Sequence, residues 1–164
     1  MKTFGFAGWS GSGKTTLIEK LIPRFTGIGL RVSLIKHAHH TFDVDKPGKD
    51  SYRHREAGAA EILVTSSRRW VLMHELRGAA EPAFEKQLMH FSSCDLLLVE
   101  GYKYAPIPKL EVWRAATGEA MLHPNDAHIV AVESDRKVET KLPLLNLNDD
   151  QSIAQFILAH LRLV

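Results

Sequence analysis

Residues Gly8-Trp-Ser-Gly-Ser-Gly-Lys-Thr15 fill the pattern G-x-x-x-x-G-K-S/T at every required position. No other stretch of the chain restricts its fold as much, because a loop of this kind works only where a strand runs into it and a helix starts from it. A polyphosphate is held there by many backbone N–H groups that point inward together, and side chains on the turn would block them. Gly8, Gly11 and Gly13 supply the missing bulk and the freedom to adopt positive φ. Both neighbours fit. Thr3 to Ala7 reads as a short buried strand, and Leu17, Leu21, Phe25 and Ile28 recur at helical spacing after Lys14. The helix start then turns its partial positive charge towards the phosphates.

On this reading Gly8, Ser10, Gly11, Ser12, Gly13, Lys14, Thr15 and Thr16 form the phosphate site. Lys14 supplies a cation for the β and γ phosphates, and the Thr15 hydroxyl a ligand for Mg²⁺. An acidic partner for that ion is sought at the carboxyl end of a strand, where ligands bind in open α/β sheets. Glu100 ends the apolar run Leu96 to Val99 and meets this condition better than Asp95, which precedes the run. Asp45, in the polar stretch from 36 to 52, is the choice for a further metal-side carboxylate; an ordinary solvated loop is the rival reading. Asp135, after a strand ending near Val132, stands where a carboxylate can accept the N–H groups of guanine, although no Asn-Lys-x-Asp signature accompanies it. His37, His39 and His40 invite a transition-metal reading, but an irregular loop does not converge imidazoles and no cysteine pair assists them.

Strands alternating with helices imply an α/β fold: a mainly parallel sheet with helices on both faces, of the P-loop NTPase class. An antiparallel excursion is expected from Glu61–Thr65 and Trp70–Met73, joined through Ser66 to Arg69. Pro23 is expected to kink or end the first helix. Lys109–Arg114 reads as a half-exposed or edge strand open to a partner, residues 81 to 93 as a helix, and Asn148 with Gln151 as the capping box of the last helix. Trp113, Tyr102 and Tyr104 read as exposed.

The 164 residues suit a single domain. A net charge of +2 with 24% charged residues gives no basic stripe for nucleic acid. The single cysteine, Cys94, excludes an internal disulfide, and the absence of a leader-like segment or an apolar run of about 18 residues leads us to expect a cytoplasmic protein with no membrane role.

Four segments carry a more specific signal: Gly8 to Thr16, Ile35-Lys-His-Ala-His-His40, Asp45-Lys-Pro-Gly-Lys-Asp-Ser51 and Leu98-Val-Glu-Gly-Tyr102. Together they resemble the molybdopterin-guanine dinucleotide biosynthesis protein B family, adaptors of molybdenum cofactor maturation. The resemblance implies GTP binding with Mg²⁺, slow GTP hydrolysis and a homodimer joined through sheet strands. It also implies a partner, the molybdenum cofactor guanylyltransferase that attaches GMP to molybdopterin, with molybdopterin itself a further candidate. The competing reading is a small-molecule kinase or ligase of the same fold. Slow turnover agrees with the lack of a positioned Gln or an assigned arginine finger; Arg53, Arg55 or a partner's arginine are the candidates for the latter.

Overall fold

The structure is a computed structural model and describes residues 1–38 and 42–163. His39 and His40, two of the three loop histidines, lie outside the described residues. In chain order the elements are β1 (Lys2–Ala7), α1 (Lys14–Gly27), β2 (Val32–Lys36), α2 (Asp50–Glu56), β3 (Glu61–Thr65), β4 (Trp70–His74), α3 (Phe84–Leu88), β5 (Leu96–Glu100), β6 (Lys109–Trp113), β7 (Ile129–Ser134), β8 (Leu144–Asn146) and α4 (Asp150–Leu161). Single 3-10 turns occupy Ala115–Thr117 and His123–Asn125. The chain divides into two compact units, Met1–His37 with His90–Val164, and Ala38–Met89.

In the first unit six strands form one sheet in the order β2-β5-β1-β6-β7-β8, every neighbouring pair parallel. Alternation along the strands divides their side chains between two faces. Phe4 and Phe6 share a face with Leu96, Leu98, Leu110, Val112 and Ala131. They pack there against Leu17, Ile18, Leu21 and Phe25 of α1 and Ile153, Ile157 and Leu161 of α4. The opposite face carries Gly5, Lys109 and Glu111, and the 3-10 turn at His123 packs over it through Glu111. The expected α/β class with a parallel sheet is the one observed, and in this unit α1 and α4 both pack on the Phe4 face.

Three local expectations change. The first helix continues through Pro23 to Gly27. Pro23 and Glu19 both lie exposed, so the carbonyl that loses its partner faces water, which satisfies it. The last helix is capped one residue later than expected. Asp149 accepts from the backbone N–H of Ser152 at 3.0 Å and from its hydroxyl at 2.7 Å, so Asn148 and Gln151 form no capping box. Finally, β6 is an inner strand, paired with β1 on one side and β7 on the other, and Lys109 and Glu111 are fully buried. No edge is left there for a partner. Of the aromatic residues, Tyr104 is exposed as expected, whereas Trp113 is half-buried and donates from its indole N–H to Glu119 O at 2.8 Å.

In the second unit β3 and β4 form the expected antiparallel hairpin, with Thr65 opposite Trp70. Ser66 closes its turn through N–H to Arg69 O at 2.9 Å. Helix α3 is confined to five residues of the stretch read as helical. Arg55 organises the unit: its guanidinium grips both oxygens of Asp43 at 3.0 and 2.7 Å and reaches Glu75 at 3.6 Å. That bidentate contact holds the Asp43 carboxyl below its usual range.

Candidate functional site

The phosphate loop leaves β1 at the carboxyl edge of the sheet, where β5 and β6 also end. Its shape follows from packing. A Cβ on Gly8, at φ 151°, would stand 2.3 Å from Val112 O, and one on Gly13, at φ 101°, would stand 2.9 Å from Arg114 Nη2. Glycine is thus required at both positions, at the first because the backbone of β6 passes so closely and at the second because its φ lies in the region that side chains rarely adopt. Gly13 is also the N-cap of α1 and lets the helix start directly from the turn.

Lys14 bends back over the loop it belongs to. Its ammonium donates to Gly8 O at 2.9 Å, Trp9 O at 2.7 Å and Ser12 Oγ at 3.4 Å. Burial lowers its pKa from the usual lysine value. Glu100 opposes that effect, and the positive charges of Lys103 and Lys36 add to it. Thr15, the next residue, donates its hydroxyl to Glu100 Oε1 at 2.6 Å. Glu100 is buried, and Lys36 lies 3.2 Å from the same oxygen. Lys36 and Glu100 are register partners across β2 and β5, which brings a cation and an anion side by side at the strand ends. Gly101 then allows close packing: at φ 86°, a Cβ there would lie 3.1 Å from the Cβ of His37.

The loop's remaining residues are accounted for as follows. Ser10, Gly11 and Thr16 are exposed, and Ser12 is buried with its carbonyl accepting from Arg114 Nε at 2.8 Å. Trp9 donates its indole N–H to Ala120 O at 2.8 Å, and the Lys103 ammonium sits 3.7 Å from the centre of its ring. Asp135 is exposed just beyond β7 and lines a shallow cleft of about 290 Å³ with Ser134, Arg136, Lys137 and Asn146. Asp45 belongs to the second unit, where Oδ1 accepts from Ser51 Oγ at 2.8 Å and from the Lys46 N–H at 2.9 Å. Among the described residues no three His, Cys, Asp or Glu side chains converge on a common point, so Thr15 and Glu100 form a half-site at most.

Sequence reasoning passed over Lys36, Lys103 and Arg114. The signal was available: Lys36 closes β2, and Arg114 follows β6, at the carboxyl edge where Glu100 had been sought.

A glycine loop between the first strand and first helix of a parallel sheet, with a carboxylate ending the neighbouring strand, places the fold in the P-loop class. Within that class, the model of the MobB family, described as molybdopterin guanine dinucleotide synthesis protein B, matches residues 3–135, and the chain belongs to that family. It is 46% identical over 158 residues to a molybdopterin-guanine dinucleotide biosynthesis adapter protein of Escherichia coli, covering 93% of this chain and 89% of that one. A Haemophilus influenzae protein of the same description is 41% identical, with 93% and 85% covered. The crystal structure of Bacillus subtilis MobB superposes with a TM-score of 0.77 at 27% identity, covering 98% of each chain. That of a MobB homologue from Bacillus stearothermophilus gives 0.75 at 24%, a likeness of fold.

Proposed function

We propose that the chain is a GTP-binding adaptor that assists the attachment of GMP to molybdopterin, in contact with the guanylyltransferase that performs it. The adapter proteins of Escherichia coli and Haemophilus influenzae, at 46% and 41% identity, support this role through their names. The observation that carries nucleotide binding is the pairing of Lys14, folded over Gly8 and Trp9, with the Thr15–Glu100 hydrogen bond beside it. A triphosphate replaces the loop carbonyls as the acceptor for the Lys14 ammonium, which exchanges neutral partners for charged ones. Thr15 and Glu100, already joined by a hydrogen bond, are the residues that would hold Mg²⁺, which would supply positive charge to the phosphates. Asp135 is the candidate for the base, since its cleft opens at the end of β7.

Hydrolysis is slow on this reading. Arg114 is committed to Ser12 O and Arg55 to Asp43, which takes both from the role of a mobile arginine finger. The protein acts as a homodimer; the exposed apolar side chains Leu63, Val64, Trp70 and Leu72 of the hairpin support a contact with another chain. No helix among the described residues is long and apolar enough to cross a membrane.

Calorimetric titration with GTP, ATP and their diphosphates, each with and without Mg²⁺, tests the site. Tight, magnesium-dependent binding of GTP in preference to ATP is expected. Adding the chain to a guanylyltransferase supplied with molybdopterin and limiting GTP tests the role, and the yield of dinucleotide cofactor should rise. Transfer of phosphate from ATP to a small acceptor would instead establish a kinase.

A further inference from the structure

Lys103 is the one cation beside the loop that carries neither a hydrogen bond nor an ion pair from its ammonium among the described residues; it rests on the Trp9 ring. Its place is built in from the sheet outward. Gly5 of β1 lacks a Cβ, which would stand 2.6 Å from Lys109 Cγ, and so admits the stem of Lys109. The buried Lys109 ammonium then donates to Lys103 O at 2.7 Å, Ala105 O at 3.0 Å and Asp126 Oδ2 at 2.5 Å. Those bonds fasten the backbone of the turn after β5. Gly101 at φ 86° and Tyr102 at φ 44° reverse the chain within two residues, and Tyr102 is one of three non-glycine residues with positive φ among the described residues. The turn therefore delivers Lys103 onto the second residue of the phosphate loop. Trp9 is itself held, through its indole N–H on Ala120 O.

The backbone of Lys103 is fixed while its ammonium is not. A ring face holds a cation less tightly than a phosphate oxygen does, because the charge-assisted bond is the stronger. A cleft of about 210 Å³ beside Trp9 and Tyr104 gives the side chain room to turn. Lys14, Lys36 and Lys103 thus ring the loop as three cations, with Glu100 the one carboxylate bonded among them in the described residues. A polyanion of high charge is the ligand that such a ring suits.

We propose that Lys103 is a third phosphate-binding residue, which moves from the face of Trp9 to an oxygen of the terminal phosphate and so makes Trp9 a reporter of the triphosphate state. The proposal rests on the reading that the loop binds a nucleoside triphosphate. Lys103 would then discriminate the triphosphate from the diphosphate, and Lys109 would act as its positioning residue.

The test compares the parent chain with Lys103→Ala, Lys103→Arg and Trp9→Phe, using titration calorimetry and tryptophan emission with GTP and GDP in Mg²⁺. In Lys103→Ala the GTP affinity should fall about tenfold and the GDP affinity less than about twofold, with Lys103→Arg recovering part of the loss. GTP, and not GDP, should change the emission of the parent, and the change should vanish in Trp9→Phe. Equal effects of Lys103→Ala on GTP and GDP, no effect on either, or an emission change that survives in Trp9→Phe overturn the role of Lys103 and leave nucleotide binding intact. Failure of the parent itself to bind GTP overturns the nucleotide reading, and this proposal with it.

Discussion

Glu133 should make the fold less stable as pH rises through neutrality, and replacing it by glutamine should remove that dependence. The residue is fully buried in β7, opposite Val112 of β6, and neither carboxylate oxygen has a hydrogen-bond partner. Burial pushes its pKa up from the ordinary 4.5 to about 8, against the smaller opposing pull of Arg114 and Lys20. The unfolded chain releases this proton near 4.5 and the folded chain keeps it to about 8, so between those values the folded state binds more protons. The group's contribution is therefore whole below 4.5 and declines as pH rises towards about 8, at about 1.4 kcal/mol per pH unit. By about pH 7 some 3 kcal/mol has gone, a sizeable part of the 5–15 kcal/mol typical of a folded domain. Glu133→Gln keeps the outline of the neutral acid and cannot ionise. Urea unfolding of both proteins at about pH 5, 6, 7 and 8 separates this residue from every other titrating group, since the others cancel in the difference. The two should agree to within about 1 kcal/mol near pH 5, and the glutamine variant should be more stable by about 2 to 3 kcal/mol near pH 7. Parallel curves would refute the reasoning.

Lys14→Ala should reduce GTP affinity by at least about 100-fold in calorimetry while changing urea stability by less than about 1 kcal/mol, because the ammonium's acceptors are loop carbonyls that water reaches once it is gone. Gly8→Ala should destabilise the fold by at least about 2 kcal/mol in the same unfolding assay, since its Cβ falls 2.3 Å from Val112 O; a loss below about 0.5 kcal/mol would contradict the packing described. Lys109→Met should cost about 3 to 5 kcal/mol by leaving Asp126 without its ammonium, and adding Asp126→Asn should restore a large part of it. Equal stabilities of the single and double variants would show that the pair is not what holds the turn.

The strand, glycine loop and helix at the amino end were legible because each is local: the loop pattern spans eight residues and its neighbours adjoin it. Glu100 was legible for a similar reason, as the polar end of an apolar run. What failed was β6. Lys109 and Glu111 alternate with Leu110 and Val112, and a charged residue at every second position reads as a water-facing side. Their burial depends on distant groups: the gap at Gly5 and Asp126 for the lysine, and the N–H groups of Leu122 and His123 for the glutamate. No periodicity encodes such pairings. Arg114 and Lys103 escaped for the same cause, since one acts on Ser12 and the other on Trp9, each from about 100 residues away in sequence. The expected cap at Asn148 missed by one position, a slip that the run of adjacent polar residues from 148 to 152 invites.

Glu111 has a consequence for the long excursion between β6 and β7. One carboxylate receives the N–H groups of Leu122 and His123 and the His123 ring nitrogen, and a few residues earlier Ala120 O anchors the indole of Trp9. The excursion is riveted to β6 here and, nearer β7, by Asp126 on Lys109, and the wall beside the phosphate loop hangs from the Glu111 rivet. Loosening that rivet would let the wall swing while the six strands stayed in place, so amide exchange around residues 118 to 124 would quicken long before the core opened.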